Sequence, residues 1–245
     1  MKALILNAGI GSRMGELTRN RPKCMAEIGG GYTILSRQLT QLAALGVRDA
    51  VVTTGPFADA LKAHVESLTL PLHVEYAHSP DYATTNYIVS IHRAAPLLRG
   101  EDVLLLHGDL VLETAVLREL LAQERSTMAV DATLPLPEKD FKAKLSHGRI
   151  VAVGVSLFGG DCVACQPAYL WKRENFASWL DAIATFVAHG ETKVYAENAF
   201  NALDGDMPLW PLELRGRLCA EIDNREDLTA VSERFRRSLA AEQQG

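Results

Sequence analysis

The feature that most constrains the fold is an alternation of short apolar runs and helical patterns through the first half of the chain. The runs "KALILN", "DAVVTTG", "LHVEYA" and "DVLLLHGD" have the length and composition of buried strands. Between them, segments such as "ILSRQLTQLAALG" and "FADALKAHVESL" repeat apolar residues at helical spacing. This alternation predicts an α/β fold with a doubly wound, mostly parallel sheet. Ligands of such sheets bind at the carboxyl ends of the strands, here after "LILNAG" and "LLLHGD".

The alternation breaks near residue 135, and the pattern changes to one of short antiparallel strands. The segments "KAKLSHGRIVAVG" and "DCVACQPAYLW" predict such strands, with a turn at His147 and Gly148. Further on, "PLWPLELRGRLCAEID" predicts a pair of strands, and a terminal helix is expected from Arg225. The final "AAEQQG" is expected to be disordered.

No linker, repeat or low-complexity tract divides the chain, so we expect a single domain over residues 1–245. Its expected parts are a core over about 1–134, a small antiparallel portion over about 135–224, and a C-terminal helix and tail over about 225–245.

Composition excludes several classes of protein. The formal net charge of −5 argues against a general nucleic-acid binder, which needs a basic face. No apolar run reaches the roughly 18 residues that span a bilayer, and the first residues are typical of a buried strand rather than a signal peptide. We therefore expect a cytoplasmic protein with no nucleic-acid or membrane partner. The sequence leaves the oligomeric state open, a homodimer included.

Cysteine usage indicates ordinary thiols. Four cysteines in 245 residues are too few and too scattered for a disulfide framework. Cys162 and Cys165 have the C-x-x-C spacing of metal and redox sites, but residues i and i+3 of a strand face opposite sides. The sequence contains no second pair that would complete a zinc site. Buried thiols are therefore favoured over metal or redox use.

A glycine-containing, cationic stretch, "LILNAGIGSRMGELTRNRPKCMAEI", follows the first strand. Gly9 and Gly11 fit the start of a dinucleotide-binding G-x-G-x-x-G, but Met14 occupies the third glycine position and Gly15 comes one residue late. A G-x-x-x-x-G-K-[ST] phosphate loop is absent as well. The stretch is expected to be a long irregular loop rather than the direct start of a helix.

The residue types in this loop suit a bound triphosphate. Glycines allow main-chain N–H groups to approach phosphate oxygens. Arg13 offers a planar fork for terminal phosphates, and Lys23 offers a compact charge for the reacting phosphate. The alternative from spacing alone is a solvated loop with ordinary surface cations.

The stretch resembles the signature of the nucleotidyltransferase family that includes the sugar-phosphate pyrophosphorylases. That signature is a glycine-rich G-x-G-x-R loop followed by L-T and P-K, and the matching residues here are Gly9, Gly11, Arg13, Leu17, Thr18, Pro22 and Lys23. The resemblance extends over about the first 130 residues and implies a Rossmann-like nucleotidyltransferase fold, with the core binding a nucleotide and the antiparallel portion binding an acceptor. It also implies attack of an acceptor oxygen on the α-phosphorus of a nucleoside triphosphate, with release of pyrophosphate.

The resemblance also implies roles for individual residues. Arg13 would hold the β- and γ-phosphates, and Lys23 would stabilise the α-phosphate as charge develops there. The nucleotide would further contact the end of the first strand and the loop, that is Leu6, Asn7, Ala8, Gly9, Gly11 and Ser12.

Such a reaction needs Mg²⁺ held by carboxylates together with the phosphates. Asp109 ends the buried run "DVLLLHGD", where the family places a metal ligand. Asp223 lies in "CAEIDNREDL", which resembles the family's second metal-binding stretch. The alternative for Asp223 is the N-cap of the terminal helix, a position that Asn224 also suits.

One branch of the family is favoured by the segment "YATTNYIVSIHRA". It resembles the branch that makes CMP-activated small molecules, the phosphocholine and phosphonate cytidylyltransferases, and Thr85, Asn86 and Ser90 are the matching positions. A helix N-cap is the alternative for Asn86. The resemblance implies CTP as the nucleotide. A sugar-1-phosphate nucleotidyltransferase using UTP, GTP or dTTP is the main alternative, and a non-catalytic nucleotide-binding regulatory protein is a lesser one.

The acceptor is left open between two chemistries. Choline favours an aromatic cage with an acid, which Tyr169, Trp171, Tyr195, Glu197 and Trp210 could supply, although aromatic residues at such spacing are commonly core residues. An anionic phosphonate favours cations, and Lys142 and Lys144 lie in the matching segment, where the alternative is a solvated strand face. A small phosphonate of the phosphonoformate or 2-aminoethylphosphonate type is slightly favoured over phosphocholine.

Overall fold

Strands and helices alternate along the first half of the chain, as expected. The computed structural model describes residues 1–205 and 207–242. Its strands, in chain order, are β1 (Lys2–Leu6), β2 (Glu27–Gly29), β3 (Tyr32–Thr33), β4 (Asp49–Thr54), β5 (His73–His78), β6 (Val103–His107), β7 (Leu110–Leu112), β8 (Thr127–Asp131), β9 (Lys142–Ser146), β10 (Arg149–Gly154), β11 (Cys162–Trp171), β12 (Trp210–Glu213) and β13 (Cys219–Glu221). Its α-helices are α1 (Ile34–Ala44), α2 (Ala58–Glu66), α3 (Tyr87–Leu98), α4 (Thr114–Leu121), α5 (Arg173–Ala188), α6 (Ala196–Asn201) and α7 (Arg225–Glu242).

The central sheet has the strand order β10-β9-β11-β6-β1-β4-β5, with β8 joined to β11 and β12 joined to β8. Its middle, β6-β1-β4-β5, is parallel, and β1 lies between two parallel neighbours. The strands β11, β9 and β10 continue the sheet in antiparallel pairing. The expected α/β fold with a doubly wound sheet is therefore confirmed, and the antiparallel portion extends the same sheet. The division of the chain into domain parts stays a prediction.

The parallel strands are covered on both faces, which is why they are almost continuously apolar. Along β1, Leu4 packs into the cluster on one face, whereas Ala3 and Ile5 pack into the cluster on the other. Residues Leu105 and Leu104 of the neighbouring β6 divide between the same two clusters. Two buried layers thus hold the sheet rigid and fix its carboxyl edge, where loops carry polar side chains.

The expected pairing of the last two strands with each other is wrong. β12 runs parallel to β8, and β13 pairs antiparallel with β7 outside the central sheet. The turn between them passes through Arg215 and Gly216, which both have positive φ (54° and 76°). Local patterning predicts strands, but it does not encode which distant edge each strand meets.

The hairpin of β9 and β10 turns where the sequence indicates. His147 and Gly148 both adopt left-handed backbone conformations, with φ of 49° and 74°. Two such residues in succession suit the primed turns that match the twist of paired strands. The prediction of a turn at these two residues is confirmed.

The C-terminal helix α7 begins at Arg225, as expected, and Asn224 caps it. The Asn224 side-chain oxygen accepts hydrogen bonds from the backbone N–H groups of Glu226 and Asp227 (2.8 and 3.0 Å). Because α7 continues through Glu242, the expected disorder is wrong for residues 240–242, and the rest of "AAEQQG" lies outside the described residues. No helix among residues 1–205 and 207–242 combines the length and the apolar character needed to cross a membrane.

Candidate active site

The loop after β1 is more ordered than the sequence predicts. It contains two 3₁₀ segments, Ser12–Thr18 and Lys23–Met25, instead of an irregular path. The Thr18 hydroxyl donates hydrogen bonds to the carbonyls of Gly11 (2.9 Å) and Gly15 (3.3 Å) and so folds the loop back on itself. Gly11 has φ of 67°, and a Cβ there would lie 3.0 Å from Cβ of Lys23. The glycine therefore lets the lysine pack against the beginning of its own loop.

Two carboxylates from distant segments meet the lysine. The Lys23 ammonium lies 2.5 Å from Oδ2 of Asp109 and 2.9 Å from Oδ1 of Asp223. Arg13 contacts the other oxygen of Asp223 at 2.7 Å. Asp109 follows the end of β6, and Asp223 follows β13, so tertiary packing joins three parts of the chain at the carboxyl edge of the sheet. Asn224 caps α7, which leaves the Asp223 side chain to face these cations.

The ion pair stays charged despite its burial. Burial by itself lowers the pKa of Lys23, but the charges and hydrogen bonds of Asp109 and Asp223 raise that pKa above its ordinary value. Burial raises the pKa of Asp109, and the neighbouring Lys23 charge outweighs this and holds that pKa below its usual range. An ammonium and a carboxylate therefore face each other at neutral pH.

A second group of side chains surrounds the same aspartate. Ligand-type atoms of His107, Asp109 and Glu221 lie within 4.8 Å of one another. Oδ1 of Asp109 is buried, and among the described residues none donates a hydrogen bond to it. A buried carboxylate oxygen without a hydrogen-bond donor is a ligand that Mg²⁺ accepts, so Asp109 fits this metal. A bound Mg²⁺ would neutralise phosphate charge, and Asp109 belongs both to this group and to the predicted pair with Asp223.

His107 and Glu221 are site residues that the sequence reasoning missed. Nδ1 of His107 lies 3.3 Å from Oε1 of Glu221. Burial lowers the pKa of His107, but the Glu221 hydrogen bond and charge raise it above its ordinary value overall. A signal was available, since His107 is the last residue of β6. Glu221 lies two residues before Asp223, a spacing that puts both on one side of an extended segment.

A cleft of about 390 Å³ opens at this edge of the sheet. Its walls include most of the predicted nucleotide and metal residues, namely Leu6, Asn7, Gly9, Gly11, Ser12, Arg13, Lys23, Asn86, Asp109 and Asp223. An adjoining cavity shares part of this wall and adds Ala8, Thr85 and Ser90. Asn86 also caps the N-terminus of α3 by accepting a hydrogen bond from the Tyr87 backbone N–H (2.8 Å), so the same residue lines the cleft and begins a helix.

The predicted acceptor cations lie away from the cleft wall. The Lys142 ammonium donates to the backbone carbonyl of Pro137 (2.8 Å) and to that of Val155, and its side chain is fully buried. The Lys144 ammonium lies 3.5 Å from Asp161 at the surface. The geometry therefore contradicts direct acceptor contact by either lysine, because each ammonium is already engaged elsewhere.

The predicted aromatic set is divided by the fold. Tyr169 is a core residue whose ring stacks on Trp171 (5.6 Å between centroids) and whose hydroxyl donates to Glu197 (2.8 Å). Glu197 is itself buried and also accepts from the hydroxyl of Tyr87. Tyr169 and Glu197 therefore do not contact the cleft directly, which corrects their expected acceptor role, whereas Tyr195 does line it. Trp171 also belongs to the core. The guanidinium carbon of Arg125 lies 3.8 Å from the centroid of the Trp210 ring.

An aromatic wall forms from residues that are distant in sequence. Tyr195 lies between Tyr87 and Phe141, with ring centroids 5.9 and 5.0 Å away, and all three residues line the cleft. Tyr87 also meets the His107 ring edge-on at 4.8 Å. The sequence pattern did not indicate Tyr87 or Phe141 as site residues, because α3 and the loop before β9 approach each other only in the folded chain.

Comparison with known proteins identifies the family of this chain. Residues 3–198 match the family described as "MobA-like NTP transferase domain". A segment of 136 residues, 56% of the chain, is 37% identical to CMP-5'-(3-aminopropyl)phosphonate synthase of Streptomyces rubellomurinus. That segment spans only about a fifth (21%) of the relative's length.

Two other similarities cover more of their counterparts. CTP:phosphoglutamine cytidylyltransferase of Campylobacter jejuni is 24% identical over 188 residues, which is 70% of this chain and 72% of that protein. The solved structure of CTP:phosphocholine cytidylyltransferase from Streptococcus pneumoniae superposes with a TM-score of 0.78 at 19% identity, over 96% of this chain and 98% of that one, and shows the shared fold. Uridylyltransferases are also among the relatives. Because the family match covers most of its length, the chain belongs to the family of MobA-like NTP transferase domains.

Proposed function

We propose that the protein is a cytidylyltransferase that transfers CMP from CTP to a small phosphonate or phosphate ester and releases pyrophosphate. The observation that carries this proposal is the position of Lys23 between Asp109 and Asp223. Lys23 lines the same cleft as the glycines of its loop, Gly9 and Gly11. A cation and two carboxylates at one sheet edge are the groups that nucleotidyl transfer needs, since positioning and charge neutralisation carry such chemistry.

Within this reaction, the glycine loop and Arg13 bind the β- and γ-phosphates, and Lys23 meets the α-phosphate. Asp109 and Asp223 would hold Mg²⁺, with Asp109 offering its Oδ1, to which no described residue donates a hydrogen bond. The two carboxylates also fix the Lys23 ammonium before substrate arrives. A prepositioned charge costs little reorganisation when negative charge grows on the α-phosphate.

CTP is proposed as the nucleotide on two grounds. Thr85, Asn86 and Ser90 surround a cavity that continues from the phosphate end of the cleft past Ala8 and Gly9, where a base would extend. Relatives that resemble the chain include enzymes named for CMP or CTP.

The wall of the cleft favours an acceptor that carries an ammonium group. The rings of Tyr87, Phe141 and Tyr195 offer π faces and edges, and the carboxylates of Asp140 and Glu221 line the same cleft. Aromatic rings with nearby acids attract ammonium groups. 2-Aminoethylphosphonate and phosphocholine are therefore preferred over phosphonoformate, which has no cation.

The test is a pyrophosphate-release assay with Mg²⁺ that scans four nucleoside triphosphates. The acceptors are 2-aminoethylphosphonate, phosphocholine, phosphonoformate and glucose 1-phosphate. We expect release with CTP and an ammonium-bearing acceptor. Release with UTP or dTTP and glucose 1-phosphate would replace the proposal with the sugar-1-phosphate alternative. Nucleotide binding without release for every pair would favour the regulatory alternative.

A further inference from the structure

Lys142, the first residue of β9, is a fully buried cation that the proposed reaction does not use. Its ammonium donates hydrogen bonds to the backbone carbonyls of Pro137 (2.8 Å) and Val155, and the carbonyl of Glu138 lies at 3.5 Å. The ring of Phe158 covers the ammonium from 4.1 Å. One cation thus meets carbonyl oxygens from two separate segments.

The energetic logic of this arrangement differs from that of a salt bridge. A buried ammonium has lost its water and is tolerated only if polar partners replace it. Here backbone carbonyls replace the lost water. Hydrogen bonds from an ionised donor are stronger than those between neutral groups. The carbonyls in turn depend on the ammonium. If it were removed, the oxygens of Pro137 and Val155 would lose this hydrogen-bond donor.

The two segments that Lys142 joins also build the proposed acceptor side of the cleft. Pro137 and Glu138 lie in the loop between β8 and β9, and the next three residues, 139–141, line the cleft. Val155 follows the end of β10 and lines the cleft itself. The clamp therefore lies directly behind the wall that carries Phe141.

The phosphate side of the cleft rests on different elements. Lys23, Asp109 and Asp223 follow β1, β6 and β13, and their mutual contacts do not pass through the β8–β9 loop. A change at Lys142 therefore reaches one side of the cleft only.

We propose that Lys142 is a positioning residue whose ammonium clamps segments 137–141 and 155–158 together and thereby sets the acceptor side of the cleft. The part that concerns the acceptor rests on the proposed function of this site. Lys142 does not touch the acceptor in this proposal, since its ammonium is fully engaged with carbonyls and Phe158.

The test compares Lys142→Met with Lys144→Met. Both lie on β9, but Lys144 is half exposed and its ammonium pairs with Asp161 at 3.5 Å, so its substitution is a matched control. For Lys142→Met we expect the acceptor KM to rise about tenfold or more, while the KM for CTP stays within about twofold of the wild-type value. Lys144→Met should change neither KM.

Hydrogen exchange gives a second readout that needs no activity. In Lys142→Met, the amides of residues 133–141 and 155–161 should exchange faster, while the β1 and β6 amides keep their wild-type protection. Unchanged exchange in these two segments would overturn the clamp. An equal rise of both KM values would overturn the assignment to the acceptor side. If the wild-type protein releases no pyrophosphate with any acceptor, the proposed function fails, and the exchange comparison still decides the clamp.

A second variant covers the case in which Lys142→Met does not fold. The Phe158 side chain is 60% exposed, so Phe158→Ala leaves no buried cavity but opens the ammonium to water. We expect faster exchange in the same two segments, with the melting temperature unchanged. Wild-type exchange in Phe158→Ala, together with an unfolded Lys142→Met, would assign Lys142 to general stability instead.

Discussion

The Lys23 ammonium and Oδ2 of Asp109 lie 2.5 Å apart although the residues are 86 positions apart in the sequence. The contact occupies one oxygen of the aspartate, while the other, Oδ1, is buried and receives no hydrogen bond from the described residues. One carboxylate can therefore orient a cation that binds phosphate and also offer an oxygen to a metal. This pairing links the glycine loop to the end of β6 and is the centre of the proposed chemistry.

Replacing Lys23 by alanine should lower the rate of pyrophosphate release by roughly 10²–10³-fold, because a prepositioned charge on the reacting phosphate is lost. The measurement is kcat at saturating CTP and Mg²⁺. Arg19→Ala is the control, since Arg19 lies in the same loop but is exposed and pairs with Glu16. Loss of activity in both variants would show that general loop charge, rather than the Lys23 position, is responsible.

Carboxylate substitutions should identify the residues that hold the metal. Asp109→Asn is expected to abolish activity at every Mg²⁺ concentration, because Asp109 belongs to both candidate ligand sets. Asp223→Asn should raise the Mg²⁺ concentration at half-maximal rate, and Glu221→Gln should raise it less. The measurement is a Mg²⁺ titration of pyrophosphate release. A larger rise for Glu221→Gln than for Asp223→Asn would contradict the predicted pair.

Gly9→Ala should separate nucleotide binding from folding. A Cβ built on Gly9 meets no atom of the described residues within 4 Å, so the variant should melt at the wild-type temperature. The added methyl would project where phosphate oxygens approach the backbone, so the KM for CTP should rise several-fold.

The matched comparison is Gly55→Ala, whose added Cβ would lie 2.1 Å from the backbone oxygen of Ala8. It should destabilise the fold by about 1–3 kcal/mol, as overpacking does. Wild-type CTP affinity in Gly9→Ala, or a wild-type melting temperature in Gly55→Ala, would count against the loop geometry.

Two buried tyrosines should make the protein less stable at alkaline pH. Burial and the neighbouring Glu197 raise the pKa of both Tyr87 and Tyr169 well above the ordinary value for tyrosine. In the folded state these hydroxyls keep their protons, whereas in the unfolded chain they ionise near pH 10. Unfolding therefore releases protons above that pH, and the free energy of unfolding falls as pH rises.

The measurement is phenolate absorbance during a pH titration, followed together with circular dichroism. The chain has six tyrosines, and we expect these two to ionise only as the protein unfolds. In Tyr87→Phe, one fewer phenolate should appear in that unfolding step. Ionisation of all six before any loss of structure would contradict the buried Tyr87–Glu197–Tyr169 arrangement.

The residues proposed to bind phosphate could be selected from local patterns. Gly9, Gly11, Arg13 and Lys23 lie within one loop, and the loop follows a strand whose apolar run is unmistakable. Because these residues are close in sequence, their spacing alone indicates that they lie together in the folded chain. Asp109 was accessible for a similar reason, because it ends a buried strand at the edge where ligands bind.

The proposed acceptor end of the site could not be derived in that way. Lys142 was expected to contact the acceptor, but the structure engages its ammonium with the carbonyls of Pro137 and Val155. Tyr169 and Glu197 were expected in the cleft and instead form a buried hydrogen bond. The aromatic wall forms around Tyr195 from elements that a sequence pattern does not relate to one another.

The sequence by itself determined the class of fold, the glycine loop and the place of Asp109 at the end of a buried strand, since each depends on short-range periodicity or on residues within one segment. Tertiary structure alone decided that β12 and β13 pair with different strands, that His107 and Glu221 lie beside Asp109, and which aromatic residues line the cleft. The physical reason is that side-chain burial and long-range pairing depend on how separate elements pack, and this packing is not encoded in the local pattern of any one of them.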